Sequence, residues 1–171
     1  MTEIKTNFSA QGEQTLASYN FQDLITNQAF ATFYFGPNLT TNYMPTSNVS
    51  AGGSLFMSAG DRTYDSSPFV TWKLINGKAT ATIIVNNPSQ DGTMYIRVYH
   101  VRGATATAIS SSVGQAWNAG TTTPKTFLIP LTSTAFSKGD ILRVVWSPNN
   151  NCNVYPSAAD WKINIPFEVR L

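Results

Sequence analysis

Residues 69–86 read FVTWKLI-NG-KATATIIVN, and this stretch decides the fold class. Apolar and polar residues alternate on both sides of Asn76-Gly77, a pattern typical of two strands joined by a tight turn. Asn-Gly is also the strongest two-residue signal for a type I′ hairpin. The sequence therefore predicts a β-hairpin made of Phe69–Ile75 and Lys78–Asn86.

Alternating segments continue in both directions from this stretch, and Gly and Pro interrupt them about every ten residues. We expect further strands at Ala29–Phe35, Thr93–Val101, Thr126–Leu131, Ile141–Ser147 and Ile163–Leu171. The pattern predicts an all-β protein, a single jelly-roll β-sandwich of about eight antiparallel strands with long loops. A jelly roll places its terminal strands side by side, so Ala29–Phe35 should pair with Ile163–Leu171. The Asn-, Ser- and Gly-rich segment Gly36–Asp65 is expected to form long loops with one or two short strands.

The length of 171 residues predicts one domain over residues 1–171. Residues 1–14 are expected to be an N-terminal arm, flexible or in contact with a partner. This segment lacks the basic-then-apolar pattern of a secretion signal. No apolar run reaches the ~20 residues of a membrane-spanning helix, so we expect no membrane insertion.

Only 12% of the residues are charged, about half the usual share, and the chain has one histidine and one cysteine. Catalysis usually requires several titratable groups placed together, so the protein is expected not to be an enzyme and to use no cofactor. Zinc ligands of the usual kind are too few. The net charge of +2, without any run of Lys or Arg, argues against nucleic-acid binding.

The few titratable residues are expected at scaffold positions. His100 shares a strand face with Met94, Ile96 and Val98, which indicates a structural role; a general base would need a partner that no motif supplies. Cys152 is expected in a polar loop as a bystander thiol, with an intermolecular bridge or a reactive thiol as alternatives. The aspartates are expected to cap turns. Calcium binding by Asp61 and Asp65 is the alternative for that pair. The aspartates predicted at turns or loops are Asp61, Asp65, Asp91, Asp140 and Asp160.

Aromatic residues give the remaining signal for a site. Trp72 and Trp146 lie within predicted strands and are expected in the core. Trp117 is placed in a flexible loop, where it could pack locally, contact a neighbouring subunit or stack on a sugar ring. Tyr95, Arg97 and Tyr99 form a row on one face of the predicted strand Thr93–Val101. Together with Trp117 they are the candidate interface or ligand-stacking residues.

Two segments carry a resemblance to known proteins. The sequence FSKGDILRV, which begins at Phe136, resembles a turn-and-strand of jelly-roll modules such as the C1q/TNF-like fold, lectin-type carbohydrate-binding modules and viral jelly rolls. The segment Tyr19–Phe35 is similar to the opening of virion decoration and fibre-head proteins of tailed phages and related viruses. Neither resemblance includes a functional-residue motif that can be carried over.

The resemblance implies a non-enzymatic viral structural protein, a capsid decoration, cement or fibre-head module that acts through protein–protein contacts. Other virion or capsid proteins would be its partners, and it would form a homo-oligomer, for which a trimer is implied. It would be made in the host cytoplasm and located in the virion. The alternative is a carbohydrate-binding module or lectin with a platform of loop aromatics, for which host glycans would be ligands.

Overall fold

The computed structural model describes residues 4–6, 17–19, 28–35, 43–46, 54–87, 89–155 and 161–168. Within these ranges the chain forms fourteen β-strands and no helix, so none of the described segments is a helix long and apolar enough to cross a membrane. The strands are β1 Ile4–Thr6, β2 Ala17–Tyr19, β3 Gln28–Tyr34, β4 Tyr43–Met44, β5 Leu55–Met57, β6 Arg62–Ser66, β7 Lys73–Asn86, β8 Gly92–Arg102, β9 Thr105–Ala108, β10 Val113–Trp117, β11 Thr122–Phe136, β12 Ile141–Pro148, β13 Cys152–Val154 and β14 Lys162–Glu168.

The strands form two large sheets and one small pair, β1 with β2. The front sheet has the order β10-β8-β12-β6-β4, and β9 also pairs with β8. The back sheet is centred on β7, which pairs with β11 along one edge and with β14 and β13 along the other; β3 and β5 complete it. All described pairs are antiparallel except β4 with β6. The all-β, sandwich-like architecture predicted from the sequence is confirmed.

Period-two alternation creates the core between the two sheets. Along β7, every second residue from Ala79 to Val85 is fully buried, while the residues between them are only half-buried. Strand β8 alternates in the same way, and β12 buries Leu142, Val144 and Trp146 against it. Successive side chains of a strand point to opposite faces, so each sheet has one core face and one outer face.

The hairpin predicted at Asn76-Gly77 is wrong. Both residues lie inside the continuous 14-residue strand β7, and Gly77 pairs with Leu131 of β11. Gly77 has a φ of 110°, and the register with β11 shifts between Leu131 and Thr134, which is a β-bulge. Gly77 therefore supplies a positive φ within a continuous strand, beside the bulge in β11, and the Asn-Gly pair does not reverse the chain.

Other predictions of the strand pattern are confirmed. Strand β3 pairs with β14 in the expected arrangement, with Phe33 opposite Ile163. The loop-rich segment Gly36–Asp65 is predicted to contain one or two short strands. Three short strands, β4, β5 and β6, lie there, and β6 extends one residue beyond it. The described part of the chain also has more strands than the expected eight. Of the predicted arm at residues 1–14, only Ile4–Thr6 is described, and the remainder lies outside the described residues.

Candidate ligand-binding face

The outer face of the front sheet collects most of the predicted site residues. Tyr95, Arg97 and Tyr99 alternate along β8 with fully buried core residues. This confirms the predicted division of the strand into an apolar face and a Tyr-Arg-Tyr face. Tyr95 is 38% exposed, and Arg97 and Tyr99 are half-buried. The strand pairing fixes the backbone positions from which these three side chains project.

A second row crosses the sheet at right angles to the first. The register aligns Tyr43 of β4, Asp65 of β6, Arg143 of β12 and Tyr99 of β8 on adjacent strands. Three inter-strand spacings separate the two tyrosines, about 14 Å in all. Tyr43 is 40% exposed, and its hydroxyl lies 2.7 Å from Ser67 Oγ. The row thus has an aromatic side chain at each end and an ion pair between them.

The ion pair at the centre of this row is bidentate. Arg143 donates from Nε to Asp65 Oδ1 at 2.7 Å and from Nη2 to Asp65 Oδ2 at 2.8 Å. This hydrogen bonding raises the pKa of Arg143 above its usual value. Because both side chains are about 30% exposed, the pair contributes little net stability. Its main consequence is geometric, since the two planar groups hold each other in one orientation.

Tyr95 is positioned by a glycine on the neighbouring strand. Gly114 of β10 lies opposite Tyr95, and a Cβ at Gly114 would come 2.8 Å from Cε1 of the tyrosine ring. The ring therefore leans over the glycine, an arrangement in which an aromatic side chain covers backbone that a glycine leaves bare. We name the outer surface formed by these side chains the tyrosine–arginine face: Tyr43, Asp65, Tyr95, Arg97, Tyr99 and Arg143.

Trp117 does not belong to this face, and its predicted position in a flexible loop is wrong. It ends strand β10 and is 1% exposed. Its indole Nε1 donates to the carbonyl oxygen of Gln90 at 3.0 Å, which supplies the partner that a buried indole needs. Of the alternatives for Trp117, local packing is the one that the structure supports.

The expectation that titratable groups are dispersed is also corrected. The structure brings His100, Arg102 and Asp140 together at one end of the front sheet. His100 Nε2 lies 2.7 Å from Asp140 Oδ2, and Arg102 donates to both carboxylate oxygens from Nε and Nη2. The backbone N–H of Ser137 donates to the same carboxylate at 2.7 Å, as the predicted turn cap requires. These groups, with the Arg102 guanidinium first, hold the pKa of Asp140 well below its usual range.

This cluster stabilises the turn that contains Asp140, and Arg102 also donates from Nη2 to Ser137 Oγ at 3.3 Å. The imidazole of His100 packs against Phe136 in a tilted arrangement, with ring centroids 4.3 Å apart and planes at 50°, and the His100 side chain is 13% exposed. Within the described ranges, no hydroxyl or thiol forms a hydrogen bond with His100. The structural role predicted for His100 is therefore confirmed, and its carboxylate partner comes from a turn 40 residues away.

The structure tests four other predicted placements, of which two are confirmed and two are wrong. Trp146 is fully buried as predicted, whereas Trp72 is 45% exposed and precedes β7 instead of lying within a strand. Cys152 is a 2% exposed residue of β13, not a loop residue, and burial raises the pKa of its thiol to about 12. Asp91 caps the backbone N–H of Ala119, as predicted. No group of three His, Cys, Asp or Glu side chains in the described ranges could hold a metal ion.

The opposite end of the sandwich contains an asparagine network that the sequence reasoning missed. Asn149 and Thr93 exchange two hydrogen bonds, and Asn150 donates to the carbonyl oxygen of Asp91. The side chain of Asn87 caps its own loop by accepting from Ser89 and Gln90 and also donates to the carbonyl of Asn151. The runs NN at 86–87 and NNN at 149–151 could have indicated this network, because Asn side chains commonly form hydrogen bonds with backbone groups in turns.

Comparison with known proteins supports the fold alone. No protein-family profile and no curated protein sequence matches the chain. Among solved structures, the chain is similar to a CocE/NonD family hydrolase from Staphylococcus aureus, with a TM-score of 0.65 and 12% identity over 97% of this chain and 40% of the hydrolase. It is also similar to an aminopeptidase from a marine sediment archaeon, Thaumarchaeota archaeon, with a TM-score of 0.64 and 8% identity over 84% of this chain and 37% of the aminopeptidase.

An α-amino acid ester hydrolase gives a TM-score of 0.61 and 9% identity over 82% of this chain and 36% of its own. The chain therefore spans well under half the length of these hydrolases. At this level of identity these similarities define a fold class only. It is an all-β two-sheet fold that also occurs as part of these longer enzymes. They do not bear on the resemblance to virion proteins, which stays a prediction.

Proposed function

We propose that the protein is a non-catalytic recognition module that binds carbohydrate on the tyrosine–arginine face. The observation that carries this proposal is the row of Tyr43, Asp65, Arg143 and Tyr99 across four adjacent strands. Tyrosine rings provide flat apolar surfaces on which sugar rings can stack. The Asp–Arg pair between them presents both donors and acceptors, which suits the hydroxyl groups of a sugar.

The chemistry of the face favours a sugar over a protein partner. Protein interfaces are depleted of charged residues in their centre, where apolar side chains dominate. Here the centre holds the Asp65–Arg143 ion pair, while Val145, its apolar neighbour on β12, is only 8% exposed. The carbohydrate platform expected from loop aromatics is thus reassigned from the buried Trp117 to tyrosines of the front sheet.

A glycan array followed by isothermal titration tests this proposal. We expect Tyr99→Ala to weaken binding by about fivefold or more, since loss of one stacking ring removes on the order of 1 kcal/mol or more. Phe56→Ala is the matched control, because Phe56 is an exposed aromatic residue of the back sheet. Absence of any glycan ligand, or equal binding by Tyr99→Ala and the parent chain, would overturn the proposal.

A protein–protein role is the second candidate, because Tyr and Arg are also enriched at the energetic centres of protein interfaces. In that case the chain is a virion decoration, cement or fibre-head protein, and its partners are copies of itself or other capsid proteins. The resemblance that implies this role also implies that the two sheets have jelly-roll topology. Analytical ultracentrifugation over a wide concentration range tests it. A defined oligomer that Arg97→Glu dissociates would support this role, and a strict monomer would contradict it.

A further inference from the structure

Among the residues that the structure describes, Arg97 differs from the other arginines of the front sheet in having no hydrogen-bond or ion-pair partner. Arg143 is paired with Asp65, and Arg102 is paired with Asp140. Arg97 forms no hydrogen bond or ion pair with any residue in the described part of the chain. A guanidinium has five N–H donors in a fixed planar fork, so its full capacity to bind remains open.

The described neighbours of Arg97 provide it with no ion-pair partner. Its cross-strand neighbour is Val145, and Tyr95 and Tyr99 flank it along β8. Asp65 of β6 is engaged by Arg143, and Asp61, which precedes β6, accepts a hydrogen bond from Ser147 Oγ. Neither carboxylate forms an ion pair with Arg97, so its guanidinium donors are available on the surface on which we propose that a sugar binds.

We infer that Arg97 selects an acidic sugar unit, one that carries a carboxylate or sulfate group. The anion would accept two parallel hydrogen bonds from the guanidinium while the sugar ring lies on Tyr95 or Tyr99. Arginine matches planar and tetrahedral oxyanions in this bidentate way better than lysine does. This inference rests on the proposed function, since it names the class of carbohydrate for the same face.

Titration with matched oligosaccharides tests the inference: one neutral, one with a carboxylate in place of a hydroxymethyl group, and one sulfated. We expect the parent chain to bind an acidic member about tenfold more tightly than the neutral one, because hydrogen bonds to charged groups are the stronger kind. The tighter of the two acidic ligands identifies the anion. Arg97→Gln should abolish this preference, whereas Tyr99→Ala should weaken the binding of all three sugars.

The outcomes separate the inference from the proposed function. Equal binding of neutral and acidic sugars, or an unchanged preference in Arg97→Gln, would overturn the role of Arg97 and leave carbohydrate binding intact. Failure of every sugar to bind would overturn both. Arg97→Lys provides the conservative comparison, and it should keep the charge preference only in part because it loses the bidentate fork. Circular dichroism of each variant confirms that the fold is retained.

Discussion

The indole ring of Trp117 lies against Gly92 so closely that a Cβ at Gly92 would be 2.1 Å from Cζ2 of the ring. The two residues are directly opposite each other on β10 and β8. Only glycine leaves room for the ring at this position, and the ring in turn covers the exposed backbone of the glycine. The pair lies where β8 begins and β10 ends, and the Trp117 ring forms part of the buried core there.

Replacement of Gly92 by alanine is therefore expected to destabilise the fold. The added methyl group overlaps a fully buried ring, and overpacking of this kind costs about 1–3 kcal/mol. Urea denaturation of Gly92→Ala measures the loss. In the double variant Gly92→Ala/Trp117→Leu, the clash is gone, so the two single effects should not add. Strict additivity, or an unchanged urea midpoint in Gly92→Ala, would contradict the contact.

Trp117 itself tests the reassignment of the ligand platform. Trp117→Phe shortens a buried side chain and removes the hydrogen bond to Gln90, so we expect a loss of stability of about 1–3 kcal/mol. Because the indole has no exposed surface, sugar affinity of the folded variant should stay within about twofold of the parent. Isothermal titration at a temperature where both proteins are folded measures this. A selective loss of binding would return Trp117 to the site.

The sequence predicts that Tyr95, Arg97 and Tyr99 share one face of a strand, but it does not predict the ion pairs of the front sheet. Alternation along residues 93–101 predicts which side chains share a face, because period two is a local property of a strand. The partners Asp65 and Arg143 are 78 residues apart, and His100 and Asp140 are 40 apart. Such contacts depend on which strands become neighbours and in which register. No spacing in the sequence contains that information.

The dependence on non-local strand pairing also explains why the predicted hairpin at Asn76-Gly77 does not form. Asn76-Gly77 satisfies a turn locally, yet β11 provides partners for the whole of residues 73–86 except at the bulge. A continuous central strand with neighbours on both edges forms more hydrogen bonds than two short strands would. Gly77 still adopts the positive φ that its local sequence favours. The pairing with β11 determines that this φ occurs within a strand beside a bulge and not in a turn.

Gly77→Ala should accordingly destabilise the back sheet. At a φ of 110°, a Cβ is strained at a cost of about 1–3 kcal/mol, and it would also approach Gln28 Nε2 to 3.1 Å. Gly60→Ala is a close control, since Gly60 has a φ of 111° and nothing within 4 Å of the added atom. Thermal unfolding should show the larger loss for Gly77→Ala. Equal losses in both variants would show that the contact with Gln28 is unimportant.

The Asp140 cluster predicts a stability loss in acid. The pKa of Asp140 is depressed in the folded state, so its contribution is complete above the unfolded pKa of about 3.9. As the pH falls through that value towards the folded pKa, the contribution is lost. We expect Asp140→Asn to be less stable than the parent at neutral pH by about 1–3 kcal/mol and to lose less stability below pH ~4.

Arg102→Gln checks the cause of that effect, because the guanidinium is the largest influence on Asp140. Without it the pKa of Asp140 should move up towards its ordinary value. The acid-dependent loss of unfolding free energy should then be smaller and should finish at higher pH than in the parent. Urea denaturation across the acid range measures both variants. Identical acid profiles in the parent and Arg102→Gln would contradict this role for the ion pair.

Cys152 offers a probe of how the back sheet opens. Its thiol is buried between paired strands, and its pKa is raised to about 12, so both access and thiolate formation are suppressed. Iodoacetamide at pH 8 should leave the folded protein unlabelled and should modify it fully in urea, as read by intact mass. Native labelling should rise with urea only as β13 opens. Labelling of the native chain at the rate of a free cysteine peptide would show that β13 is not held between β5 and β7, and it would restore the alternative of a reactive thiol.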